Sequence, residues 1–208
     1  MTVIDQLTQR RVIPVVVLHD AAHAAPLAQA MVAGDLPVAE VTFRTDAAEA
    51  SIRSMAAVDD LLVGAGTVVS VDQVDCAVDA GARFIVSPGT SLSVVRRCRE
   101  LGVPVLPGAV TATEVMTLLD EGISAIKFFP AGTAGGPKAI SALSAPFGGV
   151  SFIPTGGVGP AALHEYLDLP AVVAVGGSWM VPTDAIAAGD FATITHLCAE
   201  AVALAARH

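Results

Sequence analysis

Short apolar runs rich in β-branched residues alternate along the chain with longer, alanine-rich amphipathic stretches. The apolar runs fall at residues 12–18, 38–43, 61–67, 84–89, 104–109, 125–130, 151–157 and 172–177. Their length and composition predict strands. Helical spacing of apolar positions falls between them, as at residues 21–33, 71–80, 92–101, 113–121 and 161–167. Asp20, Asp46, Ser70, Ser91 and Thr111 stand where helices begin and can accept hydrogen bonds from their first N–H groups. Gly34, Gly81, Gly102 and Gly122 follow helices, where a left-handed terminal residue is wanted. Strand and helix alternate eight times, which predicts an α/β fold, a single (β/α)8 TIM barrel occupying residues 1–208. A doubly wound open sheet has the same local pattern. The turn after the first strand, His19-Asp20-Ala21, lacks the glycine-rich phosphate loop of a dinucleotide fold.

In such a barrel the site is built from the C-terminal strand ends and the loops that follow. Glu40, Thr42 and Arg44 alternate along the second strand and share one face, with Val41 and Phe43 on the other. Three polar groups facing the outer helices would strand charge in an apolar layer, so they are expected at the barrel mouth. A plain Glu40–Arg44 ion pair is the competing reading. Strand three ends in Gly64-Ala65-Gly66-Thr67, with a hydroxyl at Thr67. Ser87-Pro88-Gly89 and Pro107-Gly108 close strands four and five, the latter as a tight turn. Strand seven ends in Thr155-Gly156-Gly157 and strand eight in Gly176-Gly177-Ser178-Trp179. Glycine pairs at these two positions suit phosphate, whose oxygens would approach backbone N–H groups at a short helix N-terminus. Either pair alone also fits an ordinary turn.

Lys127 is set in an otherwise apolar strand, Ala125-Ile126-Lys127-Phe128-Phe129-Pro130, and the chain holds one other lysine, Lys138. Burial disfavours the charged form of an amine, so a lysine there is expected to have a lowered pKa. A neutral amine is a nucleophile that condenses with ketones. The bland alternative is a strand-end lysine with its ammonium in water.

Composition narrows the function classes. Apolar residues make up 53% of the chain and charged residues 15%, which suits a parallel sheet buried on both faces. The net charge of −9 argues against a nucleic-acid surface, though not against an anionic metabolite. No apolar run approaches the roughly 18 residues of a membrane span, and the N-terminus lacks the pattern of a secretion signal. Cys76, Cys98 and Cys198 form no CxxC pair, and the five histidines have no metal-ligand spacing. A reduced, cytoplasmic protein without a metal is expected. His23, His164 and His196 are read as exposed, Glu114, Asp120 and Glu121 as a solvated helix face, and Trp179 as packing.

Taken together, Glu40-Val41-Thr42-Phe43-Arg44-Thr45, Gly64-Ala65-Gly66-Thr67, Ser87-Pro88-Gly89, Lys127-Phe128-Phe129-Pro130, Pro154-Thr155-Gly156-Gly157 and Gly176-Gly177-Ser178-Trp179 resemble the signature blocks of the 2-keto-3-deoxy-6-phosphogluconate (KDPG) and 4-hydroxy-2-oxoglutarate aldolases, in family order. The resemblance implies a class I aldolase of the Entner–Doudoroff pathway, usually a homotrimer, with no cofactor beyond the lysine imine and a keto-acid sugar phosphate as its partner. It implies Lys127 as the Schiff-base lysine and Glu40 as general acid/base. Arg44 and Thr67 would hold the pyruvate half, and Gly156, Gly157, Gly176, Gly177 and Ser178 the phosphate. Thr155 matches the position that tends to separate gluconate- from galactonate-type members, and threonine favours the gluconate type. The chain departs from some relatives in Val17-Leu18-His19, where they carry arginine at the end of strand one, and in Gly34-Asp35-Leu36-Pro37. The alternatives are an aldolase acting mainly on 4-hydroxy-2-oxoglutarate or on the galactonate epimer, a phosphate-binding epimerase or isomerase, and a non-catalytic sugar-phosphate binder.

Overall fold

The computed structural model describes residues 3–206. Its strands are β1 (Val12–Val16), β2 (Val38–Thr42), β3 (Leu62–Gly66), β4 (Ile85–Val86), β5 (Val105–Leu106), β6 (Ala125–Phe128), β7 (Ser151–Pro154) and β8 (Val175–Gly177). The helices are α1 (Val3–Thr8), α2 (Ala24–Ala33), α3 (Ala48–Ala56), α4 (Val71–Asp79), α5 (Leu92–Leu101), α6 (Ala112–Asp120), α7 (Gly136–Ser144), α8 (Leu163–Leu167), α9 (Thr183–Ala187) and α10 (Phe191–Ala205). Single 3₁₀ turns, Ala21–His23 and Pro160–Ala162, lead into α2 and α8.

Six parallel strands form a curled sheet in the order β5-β4-β3-β2-β1-β8, and β6 pairs with β7. Single bridges join the two pieces. Gly108 pairs with Lys127 between β5 and β6, while Phe152 with Val172 and Thr155 with Gly176 connect β7 to β8. First and last strands also pair directly, Val12 opposite Val175. Strand neighbours therefore follow chain order around a ring, the topology of a (β/α)8 barrel rather than an open doubly wound sheet.

The strands are shorter than the apolar runs that predict them. Pro88, Pro104 and Pro107 bracket β4 and β5 and cannot donate to a ladder, which leaves two residues of regular pairing in each. Pro107-Gly108 is more than the tight turn expected of it. The Pro107 carbonyl accepts from the Lys127 N–H at 2.9 Å, and the Ala109 N–H donates to the Lys127 carbonyl at 2.9 Å. A side chain at Gly108 would collide with the Pro88 carbonyl, so only glycine lets the strands meet there.

Outward-facing strand residues and helix faces form the main core. Phe128 and Phe152 are fully buried and meet edge to face at 6.1 Å. Side chains of this size contribute about 1.5–3 kcal/mol each on burial. Inside the barrel, Phe84 lies against the bare backbone of Gly64.

Several local expectations are corrected. Asp46 caps nothing; α3 begins after Ala47 without a side-chain cap. Gly34 has φ −85°, outside the left-handed region that Gly81, Gly102 and Gly122 do adopt. Its bareness serves packing instead, since a Cβ there would stand 2.6 Å from the Cys198 Cβ and the Thr195 carbonyl of α10. Glu114 is not a solvated residue. It accepts from the Val110 and Thr111 N–H groups and the Thr111 hydroxyl, closing a capping box at the start of α6. Glu121 is likewise engaged, by Arg96 and Arg99, with 13% of its side chain exposed. His23 and His164 are half-buried rather than exposed, His23 with its ring edge-on to Phe191.

Candidate active site

Alternation along β6 turns Ile126 and Phe128 outward into the core and Lys127 inward. Glu40 points inward from β2 by the same rule. The two meet at 3.0 Å, Lys127 Nζ to Glu40 Oε1, and are 5% and 3% exposed. Neither fits the picture of a solvated strand-end lysine. Desolvating two charges costs several kcal/mol per ion, which close pairing offsets.

Neighbouring backbone makes room for the pair. In the β2–β3 register Thr42 lies beside Gly66 and Glu40 beside Gly64, and any Cβ at Gly66 would overlap the Glu40 carboxylate. The glycine is therefore part of the carboxylate's pocket. Phe129, two residues beyond Lys127, places its ring centroid 5.3 Å from Nζ.

The expected trio on strand two divides three ways. Glu40 takes Lys127 as its partner, so the Glu40–Arg44 pairing is not the one formed. Thr42 is buried and donates its hydroxyl to the Val16 carbonyl at 3.0 Å, a structural contact with β1. Arg44 stands beyond the strand end, exposed, and lines a cavity of about 560 Å³ together with Val15, Val17, His19, Ser178 and Trp179. Lys127 and Glu40 do not border that cavity; Glu40 lies inside β2, with Arg44 past its end.

Thr67 follows β3 directly with φ 58° and is half-buried. A β-branched residue in the left-handed region carries about 1–3 kcal/mol of strain, and such strain concentrates at functional sites. Thr155 follows β7 at 6% exposure, and a side chain at Gly176 would overlap its hydroxyl. Gly156 and Gly157 take φ 92° and 76°, open to glycine and little else. The second glycine pair, Gly176 and Gly177, closes β8, where the sequence pattern places it, in register with Ile13 and Pro14, and the next helix, α9, begins only at Thr183. Ser178, one residue on, is exposed and reaches the same cavity as Arg44.

Thiol chemistry has no support here. Burial pushes the Cys98 thiol up to about 11 and that of Cys198 up to about 12, which removes the thiolate at neutral pH. Burial, then the neighbouring Glu49, also raises Cys76.

The candidate site residues lie in or directly after β2, β3, β6, β7 and β8, and the family model described as KDPG and KHG aldolase matches residues 3–197, a span that includes every one of them. The chain belongs to the KDPG and KHG aldolase family. It is 48% identical to the 2-dehydro-3-deoxy-phosphogluconate aldolase of Treponema pallidum, covering 95% of this chain and 94% of that one. It is 45% identical to the KHG/KDPG aldolase of Escherichia coli K12, covering 94% and 92%. Among solved structures, the KDPG aldolase of Legionella pneumophila, with pyruvate captured at low pH as a covalent carbinolamine, superposes with a TM-score of 0.89 at 41% identity over 91% of this chain and 93% of that one.

Within this KDPG/KHG aldolase, sequence reasoning missed two contributors. Phe129 belongs in the sequence to an apolar run and to the block around Lys127, and because it lies just past the end of β6, strand alternation does not reveal that its ring meets the amine. Gly66 was credited with allowing close approach but not with housing a carboxylate, because that depends on the register of β2 against β3.

Proposed function

We propose that this chain is a class I aldolase that reversibly cleaves 2-keto-3-deoxy-6-phosphogluconate to pyruvate and glyceraldehyde 3-phosphate, the aldol step of the Entner–Doudoroff pathway. The buried Lys127–Glu40 contact at 3.0 Å carries the reading, because it places a lone amine beside a proton acceptor in a dry interior. The amine of Lys127, having passed a proton to Glu40, attacks the C2 ketone. Glu40 returns that proton to the C2 hydroxyl of the carbinolamine, and its loss as water leaves an iminium that accepts electrons from the breaking C3–C4 bond. Glu40 takes the C4 hydroxyl proton, the aldehyde departs, and the enamine is protonated at C3. Hydrolysis then frees pyruvate and restores the amine.

In this reading Arg44 binds the carboxylate through two parallel N–H bonds, with Thr67 beside it. Thr155, Gly156, Gly157, Gly176, Gly177 and Ser178 form the phosphate end. Arg44 and Ser178 lining one cavity supports a substrate with two anionic ends. No resident cofactor is required, since the lysine supplies the electron sink. The Escherichia coli relative's name, KHG/KDPG aldolase, supports 4-hydroxy-2-oxoglutarate as a second substrate. We also read residues 1–208 as one barrel domain working as a cytoplasmic homotrimer, on the family resemblance. Among the described residues no helix is long and apolar enough to cross a membrane.

Incubation with pyruvate and borohydride, followed by peptide mass spectrometry, tests the assignment. One reduced pyruvyl adduct on Lys127 is expected. No adduct, or one on the exposed Lys138 of α7, overturns it.

A further inference from the structure

We propose that Phe129 positions the Lys127 nitrogen and stabilises the positive charge of the iminium formed on it. The proposal rests on the Schiff-base reading above. Lys127 Nζ lies 5.3 Å from the ring centroid, inside the range over which a ring face attracts a cation. Lys127 is 5% exposed while Phe129 is 36% exposed, so part of the ring meets solvent and part faces a desolvated nitrogen.

The ring also packs beside the bare backbone of Gly156. A Cβ at Gly156 would come within 3.1 Å of the ring carbons Cδ2 and Cε2, so the missing side chain is the ring's seat. The loop after Phe129 is fastened to the same backbone. The Ala131 N–H donates to the Thr155 carbonyl at 2.8 Å and the Gly132 N–H to the Gly156 carbonyl at 2.9 Å. Gly156 thus serves the amine through Phe129, a role separate from contact with phosphate.

The charge history of Nζ explains why an aromatic ring suits this position. Attack on the ketone carbon forms a C–N bond and, after proton transfer, a neutral carbinolamine. Departure of water breaks the C–O bond and leaves a cationic iminium. The ring's negative face favours the cation over its neutral precursor. Glu40 also attracts a cation, but it must take up and release protons through the cycle. The ring titrates at no step, so its field stays constant.

The test compares wild type, Phe129→Leu and Phe129→Tyr by the rate of borohydride trapping with saturating pyruvate, alongside KM and kcat for cleavage. Phe129→Leu is expected to slow trapping and kcat about tenfold and change KM less than twofold, with Phe129→Tyr within twofold of wild type. Equal trapping in Phe129→Leu and wild type, or Phe129→Tyr as slow as Phe129→Leu, overturns the proposal while Lys127 keeps its role. Absence of any Lys127 adduct in wild type overturns both.

Discussion

Lys127 and Glu40 reach each other from β6 and β2, on opposite sides of the barrel ring, with Nζ and Oε1 3.0 Å apart and 6% and 4% of their side chains exposed. A contact separated by 87 positions in the chain is a product of closure. Glu40→Gln keeps the shape but cannot accept a proton. Cleavage is expected to slow by about 10²–10⁴-fold, the usual contribution of a placed acid/base. Pyruvate trapping on Lys127 should survive in part, which single-turnover kinetics with borohydride would measure.

Gly66→Ala should damage the same carboxylate without altering it. The added methyl would overlap Glu40, so the side chain must move, and displacements of about 1 Å can cost about 10²-fold. Expected is a comparable loss in kcat with the barrel still folded, read by circular dichroism beside steady-state kinetics. Unchanged kcat would mean that Glu40 acts from elsewhere.

Arg44→Lys retains the charge at the cavity but loses the paired N–H geometry. Because the anchor grips substrate and transition state alike, the expected signature is a KM for KDPG raised about tenfold with kcat within threefold. A fall in kcat at unchanged KM would instead assign Arg44 to the chemical step.

The capping box of α6 predicts a pH dependence of stability. Burial by itself raises the Glu114 carboxyl, but hydrogen bonds from the Val110 N–H, the Thr111 hydroxyl and the Thr111 N–H outweigh it and hold the group below its usual value of 4.5. A depressed folded-state value contributes stability above the unfolded value that is lost as pH falls through the folded one. Thr111→Ala should cost about 1 kcal/mol at pH 7. Urea titrations should find Glu114→Gln less stable than wild type at pH 7, with the gap closing as pH falls below 4.5.

Much of the site was legible because strand alternation and loop position are local properties. Period two put Glu40 on an inward face, and polar residues past the strand ends had few other places to go. Helix ends were less legible where one residue type serves two purposes. Gly34 follows a helix as a terminal glycine does, yet its φ is ordinary and its role is contact with α10. Glu114 has the charge of a surface residue, and only the turn before it makes it a cap.

By itself the sequence determined the alternation of strand and helix, the ring of candidate residues at one barrel end, and a single lysine with an apolar setting. These follow from side-chain size, polarity and spacing, which act over a few residues. Only the tertiary structure decided that the ring closes through Gly108 and Lys127, and that Glu40 pairs with the lysine rather than with Arg44. It also decided that Phe129 covers the amine. Each depends on which strands become neighbours and in what register, and that is set by packing the whole barrel at once.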